Sequence, residues 1–208
     1  MNRGRLELEQ VERRERSNEL EKLEGFSKLS REQQRLLRLS LYLEDRTNRT
    51  FALEEENYDR SIEIKDDWDC FASAFYLENN LSIPEKDPIR KHSTNLESLI
   101  SEFIEGVATV PKDATLEQVE DEIKKIGFPC VAVIGTSSGT ETGFDPMHVC
   151  IALGKDSHGR VMVWEKENSG RPYALLSLDV VYKKFRKYAV VWNLRPFGRK
   201  SKFLQTED

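Results

Sequence analysis

Acyl-transfer chemistry needs a nucleophile, a base to take its proton and a group to orient the base. One cysteine, one histidine and one glutamate in this chain stand where that division of labour is legible. Cys70 lies in "DDWDCFASAF", at the expected first turn of an apolar helix. A helix N-terminus favours a thiolate through its unpaired N–H groups and its dipole, and the same N–H groups can face a developing oxyanion. Asp67 and Asp69 act against the thiolate by charge unless one of them caps the helix and points away. Taken alone, Cys70 better suits a small buried core position, since cysteine is among the most buried residue types.

His148 opens the apolar run "HVCIAL", directly after the loop "GFDPM". Strand alternation puts His148, Cys150 and Ala152 on one face and Val149, Ile151 and Leu153 on the other. A base at the mouth of a strand can reach across to a helix N-terminus. The next strand, "RVMVWE", follows the turn-rich "KDSHG". A simple hairpin centred between Asp156 and Ser157 sets Glu165 opposite His148, where a carboxylate holds the imidazole and its tautomer. A slip of one residue would turn Glu165 away, leaving Glu167 and Asn168 as alternatives.

Two blocks must position these groups. Residues 1 to about 26 are rich in Glu and Arg, with Leu6, Leu8, Val11, Leu20 and Leu23 too sparse for a continuous stripe, and read as a solvated helix or disordered arm. Ser30 and Gln33 form a capping box that opens a helix bearing Leu36, Leu37, Tyr42 and Leu43. Further helices are expected from Cys70 to Asn79, after the Thr94–Glu97 capping box as far as Gly106, and between the Thr115–Gln118 box and Gly127. From Phe128 onward the chain reads mainly as strands: "FPCVAVIG", "MHVCIALG", "RVMVWEKE" and "YAVVWNL". One helix, "LDVVYKKF", is capped by Ser177. The expected class is α+β, with a charged helical extension over residues 1–60 and one domain over residues 61–208.

The motifs also resemble a family. "DWDCFASAFYL" is similar to the start of the catalytic helix in NlpC/P60-type, papain-like cysteine peptidases. "PMHVCIALG" resembles their His-bearing strand, and "GRVMVWEKENSG" the strand that follows it. The resemblance spans roughly residues 66 to 194 and is discontinuous. It implies Cys70 as nucleophile, His148 as base and Glu165 as the orienting group, with Asp69 matching the family's aspartate before the cysteine. Phe71-Ala72 departs from the family's small Ser-Gly pair, and Glu165 stands where His, Asn or Gln is usual. Trp68 and Trp164 are candidates to line the cleft, with core packing as their plainer reading.

Bulk properties narrow the field. The net charge of −5 argues against a nucleic-acid footprint spread over the protein, and the basic "RPFGRKSKF" reads as a solvated terminus. No apolar run approaches the ~20 residues of a membrane span. The first residues lack the apolar core of a signal peptide, so a cytoplasmic product is expected as synthesised, with other export routes open. Three widely spaced cysteines suggest free thiols, and no CxxC or HxxxH pair points to zinc, so neither cofactor nor metal is expected. His92 and His158 read as surface residues, and Cys130 and Cys150 as core. The glycine-rich "GTSSGTETG" lacks the Lys-Ser/Thr of a P-loop and suits a lip of the cleft.

The leading expectation is a thiol hydrolase acting on a peptide or protein amide or isopeptide bond. Two alternatives share the same residues. One is a catalytically silent module whose N-terminal extension docks a protein partner; the other is a transglutaminase-type acyl transferase.

Overall fold

A computed structural model describes residues 18–42, 70–79, 106–137, 143–167 and 173–198. After a helical turn at residues 18–22 come α1 (Glu24–Ser27), α2 (Arg31–Tyr42) and α3 (Cys70–Asn79). The rest runs β1 (Ala108–Val110), α4 (Leu116–Ile126), β2 (Cys130–Ser137), β3 (Phe144–Lys155) and β4 (Val161–Lys166), then β5 (Tyr173–Ser177), α5 (Leu178–Phe185) and β6 (Val191–Pro196). The six strands form one antiparallel sheet in the order β1-β6-β2-β3-β4-β5. The fold class is α+β. No helix among the described residues is long and apolar enough to cross a membrane. The expected helix after Thr94 lies outside the described residues.

Both faces of the sheet are covered, which explains why β2, β3 and β4 read as nearly unbroken apolar runs. On the first face Val131, Val133, Val149, Ile151, Leu153, Met162, Trp164 and Tyr173 meet the helices of residues 18–42 and α3. On the second, Ala132, Ile134, Cys150, Ala152 and Val163 meet α4 and α5. The alternation expected along β3 is the one observed.

The N-terminal helices belong to this core from residue 18 onward. Leu20 and Leu23, expected on a solvated arm, are buried with Phe26, Leu29, Leu36 and Leu37. Short helical pieces change direction between them, so the leucines need no single continuous stripe. Contact here is close enough to involve backbone: a Cβ on Gly25 would lie 2.5 Å from the Leu153 carbonyl oxygen. One on Gly154, whose φ is +149°, would lie 2.7 Å from the Glu24 nitrogen.

The capping boxes at Ser30–Gln33 and Thr115–Gln118 form with reciprocal hydrogen bonds. Gln33 also donates its amide to the carbonyls of Leu77 and Glu78 at the end of α3, at 2.9 and 3.3 Å. Ser177 precedes α5 but does not cap it; its hydroxyl donates to the Asp179 carboxylate instead.

Register at the β3–β4 hairpin departs from the simple count. Cys150, not His148, stands opposite Glu165, and an irregularity follows between Ala152 and Gly154. The turn is centred on His158 because Asp156 gathers it. Its carboxylate accepts from the backbone N–H groups of His158 and Arg160, and its own N–H donates to the Arg160 carbonyl. Turn and irregularity together displace the expected pairing by two residues. A displacement of two preserves the face, so Glu165 remains on the side of His148, as its diagonal neighbour.

Candidate functional site

His148 sits within β3 rather than at its mouth, since the strand begins at Phe144. A bulge sets its direction. Ile134 pairs with His148 and Gly135 with Pro146, leaving Met147 as the extra, partly exposed residue. Gly135 is required there, because a Cβ would lie 2.3 Å from the Asp145 carbonyl oxygen and against the Phe144 ring. Past the bulge, His148 turns onto the second face and is 1 % exposed.

Two contacts hold its ring. Nε2 lies 2.5 Å from Oε2 of Glu165, which is also buried, and the ring stacks on Phe185 of α5 at 5.0 Å and 16°. A carboxylate only accepts, so opposite Glu165 the Nε2 nitrogen carries the proton and Nδ1 is the basic one. That is an oriented imidazole. The β3–β4 ladder ends at the Cys150–Glu165 pair, so His148 lies beyond the last paired residues of the two strands.

Cys70 is the first residue of α3, as expected, and is buried. Its packing is with the first-face cluster, whose β3 members are Val149, Ile151 and Leu153. The structure therefore brings His148 and Glu165 together on one face and seats Cys70 among the residues of the other. The alternation that joins base and carboxylate is what separates them from the thiol's packing partners. Burial pushes the Cys150 thiol well above its ordinary pKa, and the Glu165 carboxylate pushes the same way.

No protein-family model, curated protein or solved structure matches this chain. The site must therefore be read from its own chemistry.

Trp164, a candidate to line the cleft with core packing as its plainer reading, is core under α2. It is buried on the first face, stacks on Tyr173 at 5.3 Å, and its indole N–H donates to the Ser40 hydroxyl at 2.8 Å. Asp69, Trp68, His92 and Asn168 lie outside the described residues, as does most of the glycine-rich loop. Among the described residues, no group of three or more His, Cys, Asp or Glu side chains is placed to hold a metal ion.

Lys166 was not foreseen. It is buried on the Trp164 face, with its ammonium 4.5 Å from the Tyr173 ring centroid. The Tyr173 hydroxyl lies 3.1 Å from Ser73 Oγ, one turn along α3 from Cys70. Alternation along "VWEK" assigns Lys166 to that face, but charge alone suggests a solvated residue, so the sequence signal was present and opposed by a stronger prior.

Cys130 and Cys150 are core thiols. Burial raises the Cys130 thiol to about 12, partly offset by Arg195. A raised acid pKa stabilises the fold fully below the unfolded value, and that contribution is lost as pH climbs toward the folded value. Stability measured by denaturant unfolding is thus expected to fall between the ordinary thiol range of ~8.5 and about 12. Cys130→Ala should show a shallower fall over that interval, and an unchanged slope would contradict the assignment.

Proposed function

We propose that this protein is a papain-like thiol hydrolase that cleaves an amide or isopeptide bond, with Cys70 as nucleophile, His148 as base and Glu165 as the group that orients it. The observation that carries the reading is the buried 2.5 Å contact between His148 Nε2 and Glu165 Oε2. Such a pair fixes one tautomer and stabilises the imidazolium formed when the base takes a proton. Cys70 at the start of α3 supplies the other half, and α3 packs on β3 and β4, the strands that bear the pair. The β3–β4 ladder ends at Cys150–Glu165, and in this reading thiol and imidazole meet past that end.

The reaction is then ordinary acyl transfer. The Cys70 thiol passes its proton to His148 Nδ1 as sulfur adds to the carbonyl carbon. His148 returns the proton to the departing amine, leaving a thioester. Water, deprotonated by His148, adds to that thioester and releases the acid and the thiol. With an amine in place of water the product is a new amide, the transglutaminase outcome.

The burial of Cys70 within the first-face cluster favours a second reading, a silent module of the same fold. Iodoacetamide labelling at pH 6.5, resolved to the Cys70 peptide, separates the two. The hydrolase reading expects native Cys70 to react at least about tenfold faster than in the guanidinium-unfolded chain, because an ordinary thiol is only about 1 % ionised at that pH. It also expects His148→Ala to remove the excess rate. Native labelling no faster than the unfolded chain establishes the silent module.

A further inference from the structure

We infer that Phe185 is a positioning residue for His148, its ring fixing the plane of the imidazole and favouring the charge that the imidazole gains with the proton. This rests on the hydrolase reading and adds a residue to it. The contact is direct. The two rings stack with centroids 5.0 Å apart and planes 16° from parallel. Both side chains are buried, so neither face of the stack is replaced by bulk water.

The sequence of α5 aims that ring at the base. Leu178, Val181 and Phe185 recur at helical spacing and are the buried residues of the helix, which packs on β4 and β5. Phe185 closes this stripe as the last residue of α5, and the chain leaves at once through the 3₁₀ turn of Arg186–Tyr188. Lys184 ties the same end down. Its Nζ lies 3.0 Å from Oε1 of Glu167 and 5.0 Å from the Phe185 ring centroid. Glu167 stands two residues beyond Glu165. The helix end that carries the stacking ring and the strand end that carries the carboxylate are therefore joined to each other.

Glu165 and Phe185 divide the work. The hydrogen bond at Nε2 fixes the tautomer, the flat stack fixes the ring plane, and the two together decide where Nδ1 points. The stack also distinguishes the two charge states of the base. The face of an aromatic ring carries negative charge density and attracts a cation within about 6 Å of its centroid. That attraction grows as His148 takes the thiol proton, so it acts on the transition state more than on the resting enzyme. An aliphatic side chain of similar reach would fill the space without supplying it.

The test compares kcat and KM for p-nitrophenyl acetate across Phe185 variants, with circular dichroism on each. Phe185→Leu should lower kcat about three- to tenfold, the factor that an aromatic pair of this kind is worth, and leave KM within about twofold. Phe185→Tyr, which keeps the ring, should hold kcat within about twofold of wild type, a rescue that turns on aromatic character and not on bulk. Should Phe185→Leu lose its native spectrum, Phe185→Met is the second variant without a ring, its flexible chain filling the same space. A folded Leu or Met variant with wild-type kcat, or a folded Tyr variant as slow as Leu, overturns the role of Phe185 while the hydrolase reading stands. A raised KM at unchanged kcat does the same, because it makes Phe185 a substrate contact. Wild-type turnover no greater than that of Cys70→Ala overturns both.

Discussion

Arg195→Ala is expected to lower the unfolding free energy by about 3–5 kcal/mol, the cost of stripping one partner from a buried ion pair. Both guanidinium nitrogens Nη1 and Nη2 donate to Glu78 at 2.6 Å, and both side chains are almost wholly buried. Glu78 Oε1 also accepts from the Gly198 N–H at 2.9 Å, so the carboxylate is satisfied from two sides. Glu78 sits in the last turn of α3, where the helix dipole disfavours a negative charge, and Arg195 compensates for that position as well as for burial. Replacing only Arg195 leaves a carboxylate in the core at the wrong end of a helix. Replacing both, as Glu78→Leu with Arg195→Met, should cost clearly less than the two single losses added together. Denaturant unfolding measures all of these. A loss below about 1 kcal/mol for Arg195→Ala would show the pair to be solvated, as surface pairs are. Because the pair pins the C-terminal end of the Cys70 helix to β6, a loosened variant should also lose the excess labelling rate of Cys70.

Side-chain parity was the most legible part of this chain. The alternation His148, Cys150, Ala152 against Val149, Ile151, Leu153 is a local property of an extended backbone, and both clusters obey it. The capping boxes at Ser30 and Thr115 were equally legible, because every atom involved lies within three residues. Register was not. It depended on how Asp156 gathers the turn and on one irregularity after Ala152, and residue spacing encodes neither. Glu165 still meets His148 because the displacement was even, although the two are not directly paired. The burial of Leu20 and Leu23 was hidden for a different reason: their partners are β3 residues about 130 positions away, and a broken helix gives no periodic stripe. Long-range contacts of this kind also concealed the Glu78–Arg195 pair and the Lys166–Tyr173–Ser73 chain. The larger omission concerned the sheet as a whole. With helices on both faces, knowing that His148 and Glu165 share a face does not say that Cys70 lies on it.

That geometry makes Glu165 the most informative position for chemistry. Glu165→Gln is expected to reduce turnover of p-nitrophenyl acetate by about 10²–10⁴-fold, the range set by losing the charge that orients and stabilises a catalytic imidazolium. The substitution keeps the volume of the side chain and an oxygen able to accept from Nε2, and Phe185 still stacks on the ring. Stability should accordingly change little. Glu165→Ala behaves differently, because it leaves His148 buried without its carboxylate and should cost about 1–3 kcal/mol in unfolding free energy. Comparing the two variants separates a carboxylate kept for folding from one kept for proton transfer. A structural pair predicts normal turnover in the Gln variant, within about twofold, alongside the stability loss of the Ala variant. A working triad predicts the reverse for Gln, a stable protein with little turnover. Turnover that persists in Glu165→Gln but vanishes in Cys70→Ala would keep the nucleophile and remove Glu165 from the mechanism. Cys70 thus decides whether there is a mechanism at all, and Glu165 decides whether the oriented imidazole belongs to it.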